Sequence, residues 1–323
     1  MNTRTRRLKL NPFLRKMVRE NQLSLDDLVY PMSVDANLDS PAAVETMPGI
    51  VRFPIKSAIQ KAKQLIDVGV HSLYIMGVPK KNKKDGKASD AFSDDGVVPQ
   101  VVDGIKTALG DKMIIIGDSY LGYFTDHQIG GVLDKNMKIM DEPTLESIRK
   151  IAVKWAKCGV DIFCNATMVD GRVKAAREAL DAAGCHDTLI MSSIKFNSAF
   201  YAPGAGITQT GGSYTYDKSV YYNDPANSED PLRMARLDVD EGADMINVKP
   251  ALPFLDMIYR IKTSFPIPVS TFSISGDYAM IAFGSQMGNL SEKDCALELM
   301  TSLKRAGADI IISYWADKVS KWL

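Results

Sequence analysis

The chain has 323 residues, 46% of them hydrophobic, and its 39 basic and 39 acidic side chains cancel. That balance gives no overall field for nucleic acid or an anionic membrane, so the expected partner is a small molecule. Cys158, Cys164, Cys185 and Cys295 lie far apart with no Cys-x-x-Cys pair, which argues against a disulfide framework or zinc knuckle and fits a reducing cytoplasm.

The basic start, Arg4, Arg6, Arg7 and Lys9, runs into Asn11-Pro12 and mixed polar residues, so neither a signal peptide nor a membrane span is expected. Apolar strand-like runs follow at 28–34, 72–78, 113–118, 161–164, 189–193, 245–248, 269–272 and 310–314. Helical patterns are expected at 55–67, 97–109, 142–157, 171–183, 231–241, 254–264 and 292–305. Met168-Val169-Asp170-Gly171-Arg172 reads as a helix start, and no phosphate-binding glycine pattern occurs at a strand-to-helix turn. Gly69, Gly159, Gly242 and Gly307 each stand between a helix and the next strand, where a helix C-cap is expected. Eight alternations without a linker favour an α/β fold of the closed (β/α)8 or TIM barrel kind, with a doubly wound sheet left open by spacing alone.

In such a barrel the chemistry lies at the C-terminal ends of the strands. Asp118, Lys195, Lys249, Ser273, Ser275, Ser313 and Tyr314 follow strands there. A lone lysine at a strand end is more often solvated or in a structural ion pair. Two on neighbouring strands share a cavity, where repulsion and desolvation depress the amine pKa and leave a nucleophile for imine formation with a carbonyl. Cys164, at a strand end, is the one cysteine placed near this region; the other three read as inert thiols.

Several segments resemble porphobilinogen synthase, also called 5-aminolevulinate dehydratase. They are Lys195-Phe196-Asn197-Ser198-Ala199-Phe200-Tyr201, Asp224-Pro225-Ala226-Asn227, Val248-Lys249-Pro250 and Ile274-Ser275-Gly276-Asp277-Tyr278. The likeness extends from Arg7-Leu8 and Asn11-Pro12 through Met47-Pro48-Gly49 and Met168 to Arg172, to Arg305-Ala306-Gly307-Ala308-Asp309 and Trp322-Leu323. It implies a (β/α)8 barrel over 28–323, with an extended N-terminal arm over residues 1–27 that makes subunit contacts in homo-oligomers of up to eight chains. The implied reaction joins two 5-aminolevulinates into a pyrrole with loss of two waters, and no cofactor. Lys249 matches the lysine forming the propionate-side imine and Lys195 the acetate-side one. Ser275 and Tyr314 match the hydroxyls that hold the first carboxylate, Asp118 an active-site acid, and Phe200 and Tyr201 aromatics that wall the cavity.

Two departures limit what the resemblance carries over. The family's metal-ligand positions fall on Tyr120, Gly122 and Gly130, and glycine offers no donor to a tetrahedral zinc, so no catalytic metal is expected. Asp126 and His127 nearby read as solvated or capping residues. The family's two arginines and glutamine for the second carboxylate fall on Ala205, Lys218 and Tyr222, leaving one flexible point charge where paired forks stood. Affinity for a second 5-aminolevulinate is expected to drop by several kcal/mol unless something compensates. The segment from Ala202 to Tyr222, with Gly204-Ala205-Gly206 and Gly211-Gly212-Ser213-Tyr214-Thr215-Tyr216, reads as a cover over the cavity, with a surface loop as the competing view. Three functions stand: a metal-independent synthase, a paralogue that joins a 4-oxo acid on Lys249 to another partner, and, opposed by the intact lysine pair, a non-catalytic oligomeric barrel.

Overall fold

The computed structural model describes residues 3–208 and 216–323. Eight parallel strands close into a barrel. They are β1 (Leu28–Asp35), β2 (Ser72–Val78), β3 (Ile114–Asp118), β4 (Ile162–Asn165), β5 (Leu189–Lys195), β6 (Met245–Lys249), β7 (Val269–Ser273) and β8 (Ile310–Ser313). Each pairs with its sequence neighbours, and β1 closes the ring against β8. The runs are apolar on both faces because one face fills the barrel and the other meets the helices, as parallel sheets require.

The eight helices of ten or more residues among the described residues are α1 (Ile55–Asp67), α2 (Val97–Leu109), α3 (Asp141–Cys158), α4 (Arg172–Ala182), α5 (Glu229–Asp240), α6 (Leu255–Ser264), α7 (Ser275–Gln286) and α8 (Glu292–Ala306). Helix α7 has no counterpart among the seven helical patterns read from the sequence. Its residues Ser275 to Ala279, Ile281 and Ala282 are all buried, so no polar face marks a helical period. Two short antiparallel strands, Ala42–Ala43 and Val51–Arg52, were also not read. Within residues 3–27 the backbone is not extended throughout: Asn11 caps a short helix, Pro12–Met17, by accepting from the Phe13 and Leu14 amides. Neither this helix nor the 3-10 turn before it, Thr5–Lys9, has a buried residue.

The four junction glycines all adopt positive φ, between 80° and 111°. Three of the four motifs carry an aspartate two residues on, which binds the strand before it. Asp161 accepts from the Ile115 amide, Asp244 from Ile190 and Asp309 from Val269, each at 2.7 Å. Lys106 and Lys262 add double contacts to Asp161 and Asp309 at 2.7 to 2.9 Å. A Cβ at Gly159 or Gly307 would lie within 2.9 Å of those lysine stems, so glycine clears their path. These clamps stand at the N-terminal rim, opposite the strand ends that carry the lysines.

Candidate active site

The β5–β6 register pairs Lys195 with Lys249 directly, so both side chains leave adjacent strands at one level. Both are buried, at 4% and 3% exposure, which is rare for lysine without a functional or pairing reason. They line a cavity of about 370 Å³ at the C-terminal mouth of the barrel. Asp118, Tyr120, Tyr123, Tyr201, Lys218, Tyr222, Ser275 and Tyr314 line it with them.

Lys249 Nζ donates to the Tyr74 hydroxyl at 2.8 Å and stands 3.6 Å from Asp118 Oδ2. Asp118 is held in turn by the Tyr123 hydroxyl at 3.0 Å and the Tyr120 amide at 3.1 Å. A carboxylate so anchored faces the amine with a fixed oxygen at ion-pair distance, within reach of proton exchange through one bridging water. Cys164 Sγ lies 3.5 Å from the Tyr74 hydroxyl and 3.4 Å from Ser193 Oγ, and burial raises its thiol pKa, which leaves it a packing group behind the lysine.

Lys195 sits in a different environment. Its Nζ donates to the Ala166 carbonyl at 3.2 Å and stands over the rings of Tyr120, at 3.9 Å, and Tyr222, at 4.6 Å. Burial, then the charge of Lys249, holds its pKa well below the ordinary lysine value, so the neutral amine is favoured. Burial also lowers Lys218 at the edge of the cavity. Among the lining residues, Lys218 is the one cation besides the pair.

The sequence candidates divide by place. Ser275 Oγ donates to the Phe200 carbonyl at 3.3 Å, and the buried Tyr314 packs on Phe272 and Tyr278. Tyr201 donates to the Lys249 carbonyl at 3.0 Å. Phe200 does not line the cavity; its backbone packs on the start of α7, where a Cβ at Gly276 would lie 2.5 Å from the Phe200 oxygen. Tyr222 is seated by its neighbour Asn223, whose amide and side chain both donate to the Lys195 carbonyl at 3.0 Å. Residues 199–208 are latched to the barrel mouth where Ser33 and Thr46 donate to the Ile207 and Pro203 carbonyls at 2.6 Å. The stretch Gly211 to Thr215, read as part of a cover, lies outside the described residues.

Tyr74, Tyr123 and Asn223 were missed by sequence reasoning. Tyr74 stands inside an apolar strand, where a hydroxyl needs a partner; that need was the available signal. Asp126 accepts from the His127 amide, His127 Nδ1 accepts from the Ile129 amide, and the half-buried His127 also meets the Gly86 backbone.

The positions implied for a metal converge in space, but Gly122 and Gly130 have no side-chain donor and the Tyr120 hydroxyl is turned to that of Tyr221. A Cβ at Gly122 would lie 2.5 Å from Tyr120 Cε1, and one at Gly130 would lie 2.4 Å from Cε2. The phenol ring therefore fills the volume where side chains at 122 and 130 would meet, and these residues do not fit a metal ion. Among the described residues no group of three or more His, Cys, Asp or Glu is placed to hold one.

A family model for delta-aminolevulinic acid dehydratase matches residues 2–322. The delta-aminolevulinic acid dehydratase of Methanothermus sociabilis is 39% identical over 318 residues, covering 98% of this chain and 97% of that one. That of Synechococcus elongatus is 38% identical over 324 residues, with 99% and 98% covered. The crystal structure of the Toxoplasma gondii enzyme in complex with its product porphobilinogen superposes with a TM-score of 0.97 at 32% identity, covering 100% of this chain and 92% of that one. This barrel, with two lysines in register at its mouth, belongs to the delta-aminolevulinic acid dehydratase family.

Proposed function

We propose that the chain is a Schiff-base-forming hydro-lyase that condenses two molecules of 5-aminolevulinate into porphobilinogen. The observation that carries this is the in-register pair Lys195 and Lys249, buried in one cavity within 3.6 Å of Asp118 on the Lys249 side. Lys249 adds to the substrate keto carbon, and Asp118 relays the proton that lets the carbonyl oxygen leave as water. The resulting iminium is an electron sink for the adjacent carbon. Ser275 and Tyr314 offer hydroxyl donors to the first substrate's carboxylate, and Tyr201, Tyr222 and Lys218 bound the second. The ring of Tyr120 in the would-be ligand volume supports turnover without a metal at that place.

Incubation of the purified chain with 5-aminolevulinate and a chelator should give a pyrrole, and Lys249→Met should give none. If wild type gives no pyrrole while borohydride traps a keto acid on Lys249, the reading that joins a different partner to Lys249 takes its place. Ala205 and Lys218 favour that second reading, since one mobile ammonium replaces a planar fork as the grip on the second carboxylate.

The exposed Leu8, Leu10, Phe13 and Met17 on residues 3–27 support a role for this arm in homo-oligomer contacts. Light scattering of a chain lacking residues 1–18 should show a smaller assembly; an unchanged mass would refute that role. Free cysteines support a cytoplasmic location. Among the described residues no helix is long and apolar enough to cross a membrane.

A further inference from the structure

We propose that Tyr120 is the positioning residue for the second imine: its ring face carries the positive charge of the iminium formed on Lys195. This rests on the dehydratase reading above and assigns a part of the site which that reading leaves without a role. Among the described residues Lys195 differs from Lys249 in having no carboxylate within ion-pair distance; its close polar neighbour is the neutral Ala166 carbonyl. What faces its nitrogen instead is the π surface of Tyr120, 3.9 Å from the ring centroid, backed by Tyr222 at 4.6 Å. Aromatic faces attract cations, and more strongly where water is excluded, as in this buried pocket.

The placement of the ring is built. Its two edges occupy the Cβ positions of Gly122 and Gly130, at 2.5 and 2.4 Å, so any larger residue at either place would displace it. Its hydroxyl meets the Tyr221 hydroxyl at 3.1 Å, and its own amide donates to Asp118. The ring is thus fixed at both edges, at its tip and at its backbone. Burial alone favours a neutral Lys195, which suits attack on the keto carbon. When the carbonyl oxygen leaves as water, taking one proton from the amine and one from solvent, the nitrogen keeps one proton and gains a full positive charge, with Asp118 acting on it only from beyond ion-pair contact. The ring face is the group placed to receive that charge.

The test uses the full chain with 5-aminolevulinate, borohydride and peptide mass spectrometry, which reads the adducts on Lys195 and Lys249 separately. Wild type should trap at both. Tyr120→Leu should lower the Lys195 adduct about tenfold while leaving the Lys249 adduct, and Tyr120→Phe, which keeps the ring, should restore it. Gly130→Ala, which pushes the ring edge without changing it, should lower the Lys195 adduct too, and decides the matter should Tyr120→Leu fail to fold. A Lys195 adduct that persists undiminished in Tyr120→Leu or Gly130→Ala, or a wild type trapped at Lys249 alone, would overturn the role of Tyr120 and leave the dehydratase reading standing. No adduct at either lysine in wild type would overturn both.

Discussion

Lys195 and Lys249 share a cavity yet meet their charge differently. Lys249 has Asp118 within 3.6 Å, whereas burial, then its neighbour's charge, holds the Lys195 pKa well below the ordinary lysine value. Since the neutral amine is the nucleophile, adduct formation at Lys195 should hold well below the free-lysine pKa of about 10.4 and fall as pH drops through the depressed value. A pH profile of Lys195 adduct yield checks this; an onset near the free-lysine value would contradict it. Asp118→Asn keeps the shape and removes the carboxylate proposed as the proton relay beside Lys249, so steady-state kinetics should show kcat lower by about 10²- to 10⁴-fold. At this scale the sequence was readable where a charged residue interrupts an apolar run, as Lys195, Lys249 and Asp118 do. Tyr74 and Tyr120 were not, because a tyrosine in an apolar run reads as core until its neighbours in space are known.

At the scale of elements, the repeated glycine junctions announced the helix ends, but the aspartates behind them bind strands that are distant in sequence, and spacing cannot show that. The same holds for Arg172, which opens α4. Its guanidinium lies 2.6 Å from Asp238 of α5 and 3.1 Å from Ser192 of β5, all buried. The Asp238 carboxyl is raised by burial, opposed by Arg172. Arg172→Met leaves that carboxylate buried and unpaired, which should cost about 3 to 5 kcal/mol, read as a lower denaturation midpoint. A double change of Arg172 and Asp238 to apolar residues should recover much of the loss. Helix α7 escaped sequence reading for a related reason: its polar residues Ser275 and Asp277 are buried at the mouth while the apolar Met280 and Phe283 are exposed, so polarity does not mark the face that periodicity detects.

Over the whole molecule, strand and helix alternation favoured a barrel but left a doubly wound sheet open, because buried parallel strands need covering helices in either fold. The closing pairs and the tyrosine lining required three dimensions. Burial pushes the Asp277 carboxyl up to about 7, against about 3.9 in an unfolded chain. The folded protein then binds more protons than the unfolded one between those values, so this group makes stability fall as pH rises through that window. Asp277→Asn should flatten that slope in denaturation curves collected from about pH 4 to 7; an unchanged slope would place the burden elsewhere. The register of β5 on β6 has a consequence for rate as well as place. A closed sheet cannot slip, and adjacent strands stand about 4.8 Å apart, so under the proposed reaction two substrates tethered on Lys195 and Lys249 meet as parts of one molecule. Their condensation becomes intramolecular, in a regime where well-oriented partners reach effective concentrations of about 10⁵ to 10⁸ M. The barrel's hydrogen-bond ladder thereby stands in for a concentration of keto acid that no solution could supply.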